Sequence, residues 1–394
     1  MLYRRSVFRD EAKLDINYVP KWLPHREREL RLLMEFFGFV WQFPDKMAQR
    51  VILTGDVGTG KTVLSRRFGA EVTSEAKKRC VTIHYIHVNC REYRGNLFLI
   101  LQHIISAFHP GFPKRGYSAE ELLNVLMQIL DEENAYVILA LDEFESLIEH
   151  EGSEAVYKLT RLQETRPNKP QRLSLICILR DLRATERLDA GTRSTLQYNI
   201  ISLERYSKEQ LIDILSDRVR LAFNPSTVFE DVISLIADLA SSEGGNARFA
   251  IELLWRAGKY ADAEGLDAVT PECVRKAVSG IIPTLPKSEL AHFGLHEKLF
   301  LLGVARLFKE SGKAHVSLVE AEKAYCVVCE EFDVQPHSHT QLWKYLRFLS
   351  GLDILKTEVL NVGVRGRSTI IYLPRISAYE LEKELTAILE KAER

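Results

Sequence analysis

No apolar run in this 394-residue chain approaches the ~20 residues that cross a bilayer, and Met1–Asp10 has no apolar core of the secretory kind. The expectation is an intracellular, cytoplasmic protein with no membrane partner. Cysteine is sparse, with six residues scattered from 80 to 329. One CxxC exists, Cys326-Val327-Val328-Cys329, but no second pair completes it, and His337 and His339 downstream have a single residue between them. These cysteines fall inside a helix-like stretch, Val319–Glu331, so they read as partly buried helical thiols, and no metal-cysteine site is expected. Net charge is also lacking, at −1, so the global balance gives no reason to expect a nucleic acid. What remains is near average, 46% hydrophobic and 27% charged, as in globular domains. The length exceeds a single hydrophobic core and implies two or three domains.

Against that plain background one segment stands out. Gly55-Asp56-Val57-Gly58-Thr59-Gly60-Lys61-Thr62 follows the β-branched run Val51–Thr54 and precedes a helix-like stretch, Val63–Ala76. This is a P-loop in its strand-loop-helix setting. Its glycines let successive backbone N–H groups turn toward phosphates at the positive end of the following helix. Lys61 is placed to reach the β- and γ-phosphates and Thr62 to ligate Mg²⁺, so ATP or ADP with Mg²⁺ is the expected ligand.

The second acidic motif separates the classes of P-loop protein. Tyr136–Leu141 is a continuous apolar run of strand length ending in Asp142-Glu143, as expected of a strand buried on both faces. Asp142 is placed to hold Mg²⁺ through water, and Glu143 to orient and activate an attacking water. An acidic pair after such a strand favours hydrolysis over transfer to a small substrate, hence an ATPase. Candidate strands at Val51–Thr54, Val81–Val88, Tyr136–Leu141, Leu173–Leu179 and Asn199–Leu203 alternate with amphipathic helices. Five such strands imply a doubly wound parallel sheet with ligand at the strands' carboxyl ends.

Local charge in the C-terminal region departs from the global balance. Between Ser338 and Arg375, Lys344, Arg347, Lys356, Arg365, Arg367 and Arg375 stand against Asp353 and Glu358, six positive charges against two negative for a local net of +4. The basic residues concentrate on a helix-like segment, His339–Leu349, and on a hairpin pairing Ile354–Val359 with Thr369–Leu373. The hairpin tip is Gly363-Val364-Arg365-Gly366-Arg367. A helix followed by a basic hairpin is the winged-helix arrangement, in which the helix enters the major groove and the wing follows phosphate or the minor groove. A solvated basic face, or one that binds protein, has the same pattern. Between the two ends, Tyr206–Ala222 and Val228–Lys259 read as a helical lid, broken at Glu243-Gly244-Gly245 before Asn246-Ala247-Arg248 opens a new helix. Thr284–Ser288, with Pro283 and Pro286, reads as a linker.

Together the P-loop, Asp142-Glu143, lid and winged helix resemble the AAA+ replication initiators of archaea, related to the eukaryotic origin recognition complex and to its companion helicase loader. The similarity runs from Tyr18 almost to the end. It is carried by Tyr18-Val19-Pro20 with Leu23-Pro24-His25-Arg26-Glu27, Val88-Asn89-Cys90-Arg91, Tyr206-Ser207-Lys208-Glu209-Gln210-Leu211, Leu295-His296-Glu297-Lys298-Leu299 and the 363–367 tip. The resemblance implies a nucleotide site of Gly55 through Val63 with Tyr18, Val19, His25 and Arg26 lining the adenine pocket. The lid would contribute Tyr206, Arg218 and Arg248, the last as a second sensor arginine. Arg193 resembles the arginine finger, although Gly191 occupies one position where relatives carry it. Phe112–Leu126 resembles an initiator-specific insertion that touches DNA, through Lys114 and Arg115. Thr340, Gln341, Lys344 and Arg347 on the helix and Arg365, Gly366 and Arg367 on the wing are the remaining expected DNA contacts. One departure bears on hydrolysis: Leu173–Leu179 ends in Arg180-Asp181, where the family places a sensor asparagine.

The expected architecture is an α/β AAA+ P-loop ATPase domain with a parallel five-stranded sheet (1–204), a helical lid (205–283) and a winged-helix domain (284–394). The expected function is ATP-controlled recognition of double-stranded origin DNA and recruitment of the replicative MCM helicase, with slow hydrolysis acting as a switch through Glu143, Asp142, Lys61 and Arg193. Paralogous initiators are possible partners, and the location would be the nucleoid. Two other readings stay open: a DNA-binding regulator that loads no helicase, and an ATP-driven remodeller of protein.

Overall fold

The structure is a computed structural model that describes residues 6–44, 46–113, 115–162, 166, 169–196, 199–281, 287–361 and 367–392. The chain divides into two compact units, one of residues 17–206 with 245–247, the other of the N-terminal 16 residues with 207–244 and 248–394.

The first unit is built on five parallel strands, β1 (Arg50–Thr54), β2 (Thr82–Asn89), β3 (Ala135–Asp142), β4 (Leu173–Ile178) and β5 (Ile200–Ser202), in the spatial order β2-β3-β4-β1-β5. All eight residues of β3 and all six of β4 are buried, which is why Tyr136–Leu141 reads as an unbroken apolar run and β4 is interrupted only by Ser174, whose hydroxyl accepts from the Gln49 N–H at 3.0 Å. Neighbouring strands pair in parallel register while helices cover each face. On one face Leu97, Ile100, Leu126 and Leu147 pack against Val137, Leu139 and Cys177. On the other, Leu33, Phe37, Leu64 and Phe68 pack against Leu53, Ile138 and Ile176. Asn89 pairs with Asp142 and Leu53 with Ile178, so the carboxyl ends of β1 to β4 lie together. Side chains projecting beyond those ends share one edge of the sheet, where ligands bind in doubly wound folds.

The second unit holds the lid helices Lys208–Ala222, Glu230–Ser242, the body of Ala247–Glu264, and Pro271–Ser279. Around Leu299, Phe300, Leu342, Leu346, Ile371 and Leu385 it builds a further core from the helices Leu295–Ser311, Leu318–Glu331, His339–Gly351 and Ala378–Ala392. These surround an antiparallel sheet of β6 (His315–Ser317), β8 (Arg367–Tyr372) and β7 (Lys356–Asn361), in that order. The expected hairpin is present as β7 and β8, and β6 adds a third strand. The residues read as linker, 283–286, lie outside the described residues apart from the start of a short helix, Lys287–Ala291.

The N-terminal segment corrects one expected boundary. Residues 6–16, assigned by sequence to the nucleotide-binding domain, pack on the lid. The Val7 N–H donates to Asp262 Oδ1 at 2.7 Å, Trp255 Nε1 donates to Glu11 Oε1 at 2.7 Å, and the rings of Phe8 and Phe223 lie 4.7 Å apart. Gly258 permits this seating, since a Cβ there would collide with the Phe8 ring. Within the same unit Arg275 is fully buried, donating to the carbonyls of Leu373, Lys313 and Ala314 and facing the Phe308 ring at 4.5 Å. Its planar fork satisfies three carbonyls at once and ties the lid helix Pro271–Ser279 to the winged-helix core.

Candidate nucleotide-binding site

β1 delivers the chain into the 55–60 loop, and the Lys61–Lys78 helix carries it away. Two glycines are required by contact. Gly55 has φ +145° and a Cβ there would strike the carbonyl of Leu203; Gly58 has φ +79° and a Cβ would strike the side chain of Asn246. The loop is braced from within, Thr59 Oγ1 donating to the Asp56 carbonyl at 2.8 Å, and from outside, Arg205 Nε meeting Asp56 Oδ2 at 2.6 Å. Lys61 Nζ folds back to donate to the carbonyls of Asp56, at 2.8 Å, and Gly55. Burial draws the Lys61 ammonium below its ordinary pKa, and Asp142 and Glu145 partly oppose that shift.

The last residue of β3 completes the site. Asp142 Oδ2 accepts from Thr62 Oγ1 at 2.6 Å and meets His87 Nε2 at 3.2 Å, while Oδ1 accepts from the Glu143 N–H at 2.9 Å. Burial pushes this carboxyl's pKa up, but the hydrogen bonds from His87 and Thr62 outweigh it and the pKa lies below the usual value. Asp142 is therefore ionised at neutral pH, directly beside the Thr62 hydroxyl. Glu143 leaves the strand in the left-handed region, φ +49°, a conformation costly for a side-chain-bearing residue. Its Oε1 accepts from Arg180 Nη2 at 3.0 Å, and Arg180 Nε lies 3.7 Å from Glu145 Oε1.

Of the residues expected around the base, Arg26 has the best-defined role. It is 4% exposed, and it donates to the carbonyls of Thr59 at 3.2 Å and Glu204 at 2.6 Å while its guanidinium lies 4.0 Å from the centre of the Tyr206 ring. The 18–27 segment is thereby tied to the P-loop, with Tyr18, Val19 and His25 half-buried along it. Sequence reading missed His87, whose contact with Asp142 depends on the register of β2 against β3. Strand alternation puts His87 on the face of Asn89, but only the Asn89 to Asp142 pairing brings it to the carboxylate.

Three expected arginines are placed less directly. Arg193 is half-buried on the Ala190–Leu196 helix, which Asp189 caps through the Thr192 N–H and hydroxyl, bonds that hold the Asp189 carboxyl down to about 2. Arg218, expected at the nucleotide, is buried in the lid with Nη1 donating to the Lys13 carbonyl at 2.8 Å, so the structure gives it a bracing contact. Arg248 is exposed in the first turn of the Ala247–Glu264 helix.

At the expected DNA-facing elements, Thr340, Lys344 and Arg347 are exposed at i, i+4 and i+7 of the His339–Gly351 helix, above buried Leu342, Leu346 and Leu349, and Gln341 is half-buried at the margin. Arg115 is exposed in the loop before the Ala119–Glu132 helix. Lys114, Arg365 and Gly366 lie outside the described residues, and Arg367 is placed as the first residue of β8. No described helix is long and apolar enough to cross a membrane.

Fold and site together define an AAA+ P-loop ATPase carrying a lid and a winged helix. The family models agree: an AAA domain over residues 46–188, a Cdc6 AAA+ ATPase-type lid domain over 212–279, and a CDC6 C-terminal winged-helix domain over 288–378. The ORC1-type DNA replication protein 2 of Sulfolobus acidocaldarius is 32% identical over 376 residues, 94% of this chain and 90% of its own. Among solved structures, Cdc6p of Pyrobaculum aerophilum superposes with a TM-score of 0.84 at 30% identity, covering 99% of this chain and 100% of its own. The Aeropyrum pernix ORC1 protein, solved in complex with DNA, superposes at 0.64 with 28% identity, covering 98% and 97%. The chain belongs to the archaeal ORC1/Cdc6-type AAA+ replication initiators, and with that family goes a role in the initiation of DNA replication.

Proposed function

We propose that this protein is an ATP-controlled initiator that binds double-stranded DNA at replication origins, on the nucleoid, and helps recruit the replicative MCM helicase. The observation that carries the reading is one chain joining a P-loop with an ionised Asp142 to a winged helix whose polar stripe, Thr340 with the basic Lys344 and Arg347, is exposed over an apolar underside. The relative solved with DNA shares this architecture over nearly the whole chain, which supports the same use here. Thr62 and Asp142 supply the hydroxyl and carboxylate suited to Mg²⁺, and Lys61 the cation for the phosphates. In hydrolysis a water oxygen bonds to the γ-phosphorus, the bridging P–O bond breaks with its electron pair on ADP, and the water's proton passes to Glu143. Because Glu143 is engaged by Arg180, turnover is slow and ATP serves as a switch rather than as fuel. Arg193 acts on a neighbouring initiator's nucleotide, and Arg115 adds a phosphate contact from the ATPase domain.

Footprinting on fragments of the source genome, with and without ATP, tests this. Protection of a few discrete sites that strengthens or spreads with ATP is expected. Protection with no site preference would reject origin recognition, and ATP-independent protection at promoters would favour a regulator that loads no helicase.

A further inference from the structure

Arg180 occupies the end of β4 where the family resemblance places an asparagine, and its side chain, 51% exposed, lines an open cleft with Glu145, Glu149, Asp181, Arg183 and Arg187. It is shared between two carboxylates. One is Glu143, at 3.0 Å, and the other is Glu145, at 3.7 Å, whose second oxygen, Oε2, is buried without a hydrogen-bond partner. Burial raises the Glu145 pKa. The guanidinium is also near enough to the P-loop for its charge to act on Lys61.

A carboxylate that accepts a charge-assisted hydrogen bond has one lone pair committed and its orientation fixed, so the Arg180 contact works against the role of Glu143 as acceptor of the water's proton. We propose that Arg180 is a positioning residue that restrains Glu143, holding its carboxylate away from the attacking water. Glu145 is the second anchor that holds the guanidinium at Glu143. An asparagine at this position would offer no cation to Glu143 and could exert no such restraint. The inference rests on the ATPase reading and adds to it a chain-specific cause of slow turnover.

The full-length protein with Mg-ATP provides the test, through kcat and KM for ATP of Arg180→Ala and Arg180→Asn, with melting temperatures to confirm folding. A half-exposed ion pair is a weak restraint, so kcat should rise about three- to tenfold with KM unchanged. Arg180→Lys, which keeps the charge, should stay near the wild-type kcat. In Glu143→Gln the gain should vanish, leaving the double variant as slow as Glu143→Gln alone. An unchanged or lower kcat in both Arg180→Ala and Arg180→Asn overturns the proposal, as does an equal gain in the Glu143→Gln background. If Glu143→Gln by itself turns over as fast as the wild type, the failure belongs instead to the assignment of Glu143 as base.

Discussion

Thr62 and Asp142, 80 residues apart in sequence, meet through a 2.6 Å hydrogen bond from hydroxyl to carboxylate. The pairing joins the first turn of the P-loop helix to the end of β3 and sets side by side two oxygens that would suit a divalent cation. Asp142→Asn keeps an oxygen to accept from Thr62 but removes the charge. Isothermal titration should show ATP affinity in magnesium falling about tenfold, toward the value in EDTA, which itself should not change; a hydrogen bond to a charged group of roughly 1.5–3 kcal/mol sets that scale. Lys61→Ala, by contrast, should weaken ATP at least tenfold with or without magnesium. A magnesium response that survives Asp142→Asn would remove Asp142 from the metal site.

Arg26 bridges three parts of one unit, donating to the carbonyls of Thr59, Glu204 and His25. Arg26→Ala leaves buried carbonyls unpaired, and the loss should be about 2–4 kcal/mol in urea unfolding. Arg26→Lys should recover only part of it, because an ammonium cannot reproduce a planar fork. A loss below about 1 kcal/mol for the alanine variant would show that the segment holds by its apolar contacts alone.

The rings of His296 and His337 stack with centroids 3.5 Å apart, while His296 Nδ1 meets Tyr325 Oη at 2.8 Å. Burial, with the neighbouring His337 charge, lowers the His296 pKa below its ordinary 6.5. Below about pH 6.5 the unfolded chain therefore binds a proton that the native chain resists, so stability is complete above that pH and declines as pH falls toward the folded value. Melting temperature should drop between pH 7 and pH 5, and His296→Gln should flatten the decline. A Gln variant with the wild-type profile would place the pH response elsewhere.

The two basic elements of the winged helix should fail differently. Arg365→Ala with Arg367→Ala should weaken specific and random duplexes alike, and each lost arginine should reduce the slope of log affinity against log salt by about one unit. Lys344→Ala with Arg347→Ala should instead erode preference for the cognate site, by about 1–3 kcal/mol for each base pair read. Fluorescence anisotropy across a salt series separates the two. A folded wing variant with unchanged affinity and slope would turn the C-terminal domain toward a protein partner.

Much of this molecule could be read before any coordinates. β3 was legible as a strand because burial on both faces demands an unbroken apolar run, and β4 because only Ser174 interrupts its own. The P-loop was legible because its glycines answer a local backbone need. The His339–Gly351 helix was legible because its buried leucines recur at helical spacing. Each is a short-range property, written in neighbouring residues.

What the sequence could not decide are the contacts made across the fold. His87 reaches Asp142 through strand register, Arg26 reaches Glu204 across 178 positions, and the 6–16 segment finds the lid through Phe8 and Trp255 rather than joining the domain it precedes. Arg180 was visible as a departure from the family's asparagine, but its grip on Glu143 was not. Local spacing determined the fold, the phosphate loop and the family, because backbone geometry and hydrophobic periodicity act over a few residues. The engagement of Glu143 by Arg180 and the bracing of the loop were decided only by tertiary structure, because hydrogen bonds between distant side chains depend on positions that packing alone sets.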